Sequence, residues 1–465
     1  MPINRRQFLK RAGVVTGGLH FAFRSRWAMP QAAVPRNSTG KRVVILGAGL
    51  AGLSAGWELK EVGYEIVIVE AHLYSEAGAG RIPNTHAITL QWVNHFGLEL
   101  EPFFPKELSE IALLKGKRVK IPVGKPVDMS QVPLELTPDE HRVGLAGLDE
   151  HYYGETMRKI GDAIREDWPP EIARLGDVSM KDFLRQCGAS DDAIHYLLFG
   201  FEEDAALDFM RDAYSHHTES LSKIKGGNDQ LPRAFAAKLS DAIRYSCVVE
   251  HIERAESKVT IAYRRAGMLD HVEADAVICT IPFGVLRHIA VTPDWSPEKR
   301  KVIDGLVYGP VVRTTFQVSR RYWEDEGLNG FGSSDRNFEV WHPTYGKSGR
   351  RGLLQSYCYE DYAHRLDQLD QAERMQQVIA DMNEVHPGLR QHLETVVTKS
   401  WANDPYQHGA YVVYHPHQRQ WYPAICRREG KIWFAGEHAS PWPGWMQGAI
   451  ASGMKAAREV SGALG

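Results

Sequence analysis

The sequence predicts an α/β fold: a discontinuous Rossmann-like nucleotide-binding domain, an inserted α+β domain and a helical subdomain. Three observations predict it. An apolar run, Val43–Leu46, enters a glycine turn, Gly47-Ala48-Gly49-Leu50-Ala51-Gly52. A second apolar run, Tyr64–Val69, ends on the acidic Glu70 about twenty residues later. Further strand and turn signals recur in the middle and near the end, with helical and mixed segments between them. Glycines at this spacing let a backbone turn bring helix N–H groups against a pyrophosphate, and an acidic strand end can accept from a ribose hydroxyl.

The elements follow in order. The opening β-α-β unit has a strand over Val43–Leu46, a helix over about Leu50–Val62 and a strand over Tyr64–Val69. The pattern from Pro102 to Glu140 is irregular, with short strand-like runs such as Arg118–Val123. From about Asp149 to Ser222 it is helical, for instance Met180–Cys187 and Asp191–Leu198. Strands are expected at Cys247–Ile252, Val259–Tyr263, Ala276–Thr280 and Thr314–Val318, and helices at Gln371–Asn383 and from Gln447 to about Leu464. The expected division is 41–76, 225–290 and 400–465 for the nucleotide domain, 77–125 and 291–399 for the substrate domain, and 126–224 for the helical subdomain.

At 465 residues the chain can bury a large core, and 43% hydrophobic with 24% charged residues is an ordinary globular composition. The net charge is −3, but residues 1–36 hold seven basic side chains and no acidic one, so the remainder is markedly acidic and a poor nucleic-acid binder. Asn4-Arg5-Arg6-Gln7-Phe8-Leu9-Lys10, before a short apolar stretch, resembles a twin-arginine export signal spanning residues 1–33; a basic tail is the alternative. That resemblance implies recognition by the twin-arginine export machinery and a periplasmic or extracellular bacterial location. No apolar run is long enough for a stable membrane anchor. Five cysteines with no C-x-x-C pair argue against a disulfide framework, and the histidines lack metal-ligand spacing, so no metal is expected.

The late segment Ala435-Gly436-Glu437-His438, followed by Gly444-Trp445-Met446, adds a more specific signal. So do Gly226-Gly227-Asn228-Asp229-Gln230-Leu231-Pro232, Val249-Glu250-His251-Ile252, Ala276–Pro282 and Trp401–Tyr406. In this order they resemble the flavin amine oxidases, including the L-amino-acid oxidases, from Lys41 to the end of the chain. The resemblance implies non-covalent FAD held by Gly47, Ala48, Gly49, Ala51, Gly52, Glu70, Ala71, Gly80, Arg81, Val249, Thr280, Trp401, Gly436, Glu437, Gly444, Trp445 and Met446. The implied reaction is oxidation of a small-molecule amine or L-amino acid, with oxygen as electron acceptor.

Tyr411 and Trp445 fall where the family builds an aromatic cage beside the flavin; ordinary core packing is the alternative. Gly78-Ala79-Gly80-Arg81-Ile82-Pro83 resembles the L-amino-acid oxidase segment whose arginine pairs with the substrate carboxylate, a role that suits a planar guanidinium fork. An arginine on the cofactor phosphates, or a surface ion pair, is the alternative for Arg81. Tyr357 aligns with the tyrosine assisting that arginine, its alternative being a half-buried strand residue.

The sequence also departs from the family. Only five residues separate Glu70 from Glu76, so the usual R-x-x-G-G-R stretch is missing and weakened FAD binding is expected. Arg313 stands where many members place a lysine near the flavin, and Ala410 where covalent members place a cysteine. The readings left open are an oxidase of a non-carboxylated amine, an amino-acid 2-monooxygenase, and a non-catalytic relative.

Overall fold

The computed structural model describes residues 40–73, 78–161, 167–217 and 220–465. The expected export signal, residues 1–33, lies outside them.

A five-stranded sheet forms the base, in the order Ile432–Phe434, Ala276–Cys279, Arg42–Leu46, Glu65–Val69, Ile243–Arg244, with every pair parallel. Its strands are nearly continuous in apolar residues because both faces are covered. Val43 and Ile45 point into one core with Leu53 and Leu59 of the helix Leu50–Glu61 and Ile450 and Val460 of the helix Met446–Leu464. Val44 and Leu46 point into the other core, against Val249, Ile252 and Ile261 of a four-stranded sheet. Strand periodicity therefore divides one run of residues between two cores.

The two helices of the first core touch closely. Gly453 packs where a Cβ would lie 2.1 Å from the Ala51 carbonyl oxygen, and the Ser54 hydroxyl donates to the Ile450 carbonyl at 3.3 Å.

A seven-stranded sheet runs Leu393–Ser400, Val311–Val318, Gly352–Tyr359, Phe338–Trp341, Leu328–Ser334, Ser109–Leu114, Lys117–Pro122. The helix Gln371–Val385 lies against it, burying Val378, Met382 and Val385. A capping box starts this helix: Asp370 accepts from the Ala372 and Glu373 amides at 2.8 and 2.9 Å, and Glu373 accepts in return from the Asp370 amide. A cluster of short helices around Met157, Met180, Leu184, Leu207 and Met210 makes up most of the segment from 150 to 217.

The differences from sequence expectation are local. The stretch expected to be irregular, with a strand-like run at Arg118–Val123, holds a hairpin in which Lys117–Pro122 takes up that run and Ser109–Leu114 pairs with it. Its two-residue turn places Lys115 and Gly116 at φ 47° and 74°, a geometry that suits hairpins although Lys-Gly is not a common pair for it. Leu221–Ile224, within the span expected to be helical, is a strand pairing with Ile82–Pro83 and Leu100–Pro102. The strand expected at Thr314 begins at Val311, whose carbonyl accepts from the Trp401 amide at 3.0 Å.

Candidate active site and nucleotide cradle

The glycine turn leaves the first strand sharply. Gly47 has φ +105° and lies where a Cβ would come within 2.6 Å of the Thr280 hydroxyl. At Gly52 a Cβ would lie 2.0 Å from the Gly47 carbonyl oxygen, so any other residue must displace the turn. Gly49 faces open space, with nothing within 4 Å of its Cβ position, and the helix behind it has no side-chain cap. Ala48 and Ala51 are buried beside it. The first N–H groups of that helix are thus available to an anion.

Glu70 closes the cradle. Its carboxylate accepts from the Ala48 amide at 2.5 Å and from the His72 amide at 2.8 Å, one oxygen each, with Ala71 between. The Glu70 carbonyl accepts from the Cys247 amide at 2.8 Å, which brings the strand carrying Val249 alongside.

The C-terminal segment is organised by Glu437. One carboxylate oxygen accepts from the Val412 amide at 3.2 Å and the other from the Gly444 amide at 2.7 Å. This joins the strand after Tyr411 to the loop before Trp445. Burial pushes the Glu437 carboxyl up to about 7 against the pull of those two amides. Gly444, at φ +77°, lies where a Cβ would be 3.4 Å from the Tyr411 ring. Gly436, at φ +144°, donates its amide to the Ser452 hydroxyl at 2.9 Å. The Trp445 indole donates to Asp212 at 2.7 Å, and Met446, buried, begins the last helix.

Arg81, Arg313, Tyr357, Trp341 and Trp401 form a second group. Tyr357 and Trp341 stack at 4.6 Å and 15°. Arg81 lies 5.5 Å from the Trp341 ring centroid and 3.5 Å from the Glu339 carboxylate, which also accepts from the Trp341 indole at 2.6 Å. Burial alone would lower the Arg81 pKa, but Glu339, Tyr357, Tyr411 and Asp212 outweigh it and hold it above its ordinary value. Arg313 lies 5.5, 5.1 and 5.0 Å from the Trp341, Tyr357 and Trp401 rings and donates to the Gly78 carbonyl at 2.5 Å. Burial lowers its pKa. Gly80 passes so close to Trp341 that a Cβ would lie 2.6 Å from the ring, and Asn228 donates to the Ala79 carbonyl at 3.1 Å.

Over residues 73–461 the chain matches the family of flavin containing amine oxidoreductases. The chain belongs to this family. It is similar to the L-amino-acid oxidase of Demansia vestigiata, 27% identical over 459 residues, spanning 92% of this chain and 88% of the relative. It is equally similar, 27% over 480 residues, to the flavin-dependent L-tryptophan oxidase RebO of Lentzea aerocolonigenes, spanning 90% and 98%. Its fold resembles a putrescine oxidase triple mutant (TM-score 0.78, 19% identity, 91% of this chain and 99% of that one). It also resembles the cyclohexylamine oxidase of Brevibacterium oxydans (TM-score 0.75, 18% identity, 91% and 99%).

The cradle of this amine oxidoreductase fits a flavin dinucleotide: Gly49 leaves the helix N-terminus open, and Glu70 is already oriented by two amides. The structure also brings in residues that sequence reasoning missed. Glu339 and Trp341 come from a strand with no family motif, although the alternation Phe338-Glu339-Val340-Trp341 is a strand signal. Asp212 comes from the helix Ala206–His217, and burial raises its carboxyl to about 6, offset by the Trp445 hydrogen bond and by Arg81 and Arg211. Glu360 is raised to about 7 by burial and by Asp361 and Glu202. Among the described residues no group of His, Cys, Asp and Glu could hold a metal, and no helix is long and apolar enough to cross a membrane.

Proposed function

We propose that this chain is an L-amino-acid oxidase using non-covalent FAD. It would convert an L-amino acid to the imino acid, which hydrolyses to a 2-oxo acid and ammonia. When bound, the flavin would supply a two-electron acceptor for one hydride equivalent from the substrate Cα, and the same two electrons would reduce oxygen to hydrogen peroxide. The observation that carries the reading is a half-buried guanidinium, Arg81, set among Trp341, Tyr357 and Tyr411. A monoamine substrate gives a cation there no role, whereas an α-carboxylate does. The names of the Demansia and Lentzea relatives point the same way.

In this reading Arg81 binds the carboxylate with help from Tyr357, while the rings of Tyr411 and Trp445 orient the amine and exclude water. Residues Gly47, Ala48, Gly49, Ala51, Gly52, Glu70, Ala71, Val249 and Thr280 hold the adenosine diphosphate half. Gly80, Trp401, Gly436, Glu437, Gly444 and Met446 hold the flavin half. Ala410 offers no thiol for a covalent link. The three-part division of the chain and twin-arginine export belong to the same proposal.

The second reading is an oxidase of a non-carboxylated amine. It draws on the putrescine and cyclohexylamine oxidase folds and on the acidic Asp212 and Glu360 near Tyr411. A decarboxylating monooxygenase would need the same carboxylate contacts and differs only in product. A non-catalytic relative would bind no flavin. The test is Arg81→Lys, assayed with an amino acid and with its decarboxylated amine. Loss of the bidentate pair should cost about 2–4 kcal/mol in kcat/KM for the amino acid alone. Equal losses for both substrates would assign Arg81 to the cofactor instead.

A further inference from the structure

Arg81 and Arg313 approach one indole from positions of equal distance, each guanidinium carbon 5.5 Å from the Trp341 centroid. Their surroundings differ. Arg81 has a carboxylate partner in Glu339 at 3.5 Å. Arg313 has the Gly78 carbonyl, the Tyr357 hydroxyl and the faces of three aromatic rings, none of them an anion. Its Nε is buried without a hydrogen-bond partner. Its cross-strand neighbours in register are Tyr357 and Lys399, and Lys399 pairs with Asp404.

A guanidinium partly withdrawn from water, as Arg313 is at its Nε, is costly without a carboxylate, and ring faces return only part of the lost hydration. Arg81 adds like-charge repulsion. Among the described residues the arrangement therefore lacks one negative charge, beside the same ring that Arg81 covers.

We infer that Arg313 is a second carboxylate-binding arginine, so that the substrate carboxylate is held between Arg81 and Arg313 against Trp341 and Tyr357. This rests on the amino-acid reading and deepens it. The carboxylate completes the charge of Arg313, while Glu339 continues to orient Arg81. Substrates with a single carboxylate satisfy both guanidinium groups. An amine without one leaves Arg313 unmatched, which builds discrimination against simple amines into the site.

The experiment measures dissociation constants of the flavin-loaded enzyme for benzoate and for its neutral analogue benzamide, by calorimetry and by flavin absorbance. Wild type, Arg81→Lys, Arg313→Gln and Arg313→Lys are compared. Arg313→Gln should weaken benzoate by about 10- to 100-fold, the loss of one charge-assisted bond, and lower the benzoate-to-benzamide affinity ratio by the same factor. Arg313→Lys keeps the charge but loses the fork, so it should fall in between; it also serves if the glutamine variant does not fold. A purely structural Arg313 would lower both affinities together, leaving the ratio unchanged, and would overturn the inference. So would a benzoate loss confined to Arg81→Lys, with the amino-acid reading left standing. A wild-type enzyme that binds benzamide as well as benzoate would remove both.

Discussion

The glycine turn allows folding and cofactor binding to be separated by two substitutions three residues apart. At Gly52 the Cβ of an alanine would lie 2.0 Å from the Gly47 carbonyl oxygen and 3.1 Å from an Ile45 methyl. A carbon–oxygen contact needs about 3.3 Å, so the carbonyl must move by roughly 1 Å. Forcing atoms into a packed site costs about 1–3 kcal/mol, against about 1 kcal/mol gained from the better helix propensity of alanine. Gly52→Ala should therefore lose up to about 2 kcal/mol of stability and distort the cradle. Gly49 has φ −72° and ψ 175°, open to any residue, and its Cβ position meets no protein atom within 4 Å. Gly49→Ala should leave stability within about 0.5 kcal/mol, yet place a methyl group where a pyrophosphate approaches. FAD affinity should fall at least about tenfold, the worth of one hydrogen bond to a charged group. Urea unfolding of flavin-stripped protein reads the first quantity and FAD titration the second. Equal destabilisation by the two substitutions, or normal FAD affinity in Gly52→Ala, would refute this account of the cradle.

Further outcomes are expected. Because the Glu437 carboxyl is raised to about 7 in the folded protein, that state binds its proton more tightly than the unfolded chain does. Its contribution to stability is full below about pH 4.5 and is lost as pH rises through 7. Glu437→Gln should flatten that decline, and urea midpoints for both proteins at pH 4.5, 6 and 7.5 would check it. Acid precipitation of the purified enzyme should release FAD into solution; flavin in the pellet would contradict the Ala410 argument. Occupancy should be substoichiometric after dialysis, because the short link after Glu70 omits a loop worth about two charge-assisted bonds of 1.5–3 kcal/mol each; full occupancy would show that other residues replace it. Arg5→Lys with Arg6→Lys should leave the precursor uncleaved in the cytoplasm, and normal export would exclude the twin-arginine assignment.

What could be read from the chain depended on how local its cause was. The first parallel strands were legible because two-sided burial demands unbroken runs such as Val43-Val44-Ile45-Leu46. The helix Asp191–Leu198 was legible because Ser190 caps it, accepting from the Ala193 amide at 3.2 Å. Of the hairpin around Lys115-Gly116 only the second strand was legible, as the run Arg118–Val123; the first, Ser109–Leu114, was not, since its last four residues are buried without alternation. Glu339 and Asp212 were hidden for another reason. Each is an ordinary acidic residue in its own element, and only tertiary pairing, of Glu339 with Arg81 and of Asp212 with Trp445 233 positions away, distinguishes it. Motif reading found Arg81, Arg313 and Tyr357, but the uneven sharing of negative charge between the two arginines exists only in three dimensions.

The close packing of the helix Leu50–Glu61 on the helix Met446–Leu464 has a consequence for biosynthesis. The helix that follows the glycine turn leaves the ribosome well before the one that covers its apolar face, since Ser54 and its partner Ile450 are 396 positions apart. The strand Arg42–Leu46 likewise waits for Ala276–Cys279 before its second edge is paired. Contacts this distant along the chain form late and slowly. The nascent protein therefore carries an uncovered apolar helix and an open strand edge while the intervening residues are made, the condition under which partly made chains aggregate. A chain ending before Met446 would leave Ile45, Leu53 and Leu59 without much of their core. The helix of the glycine turn is completed only by a partner 396 positions downstream.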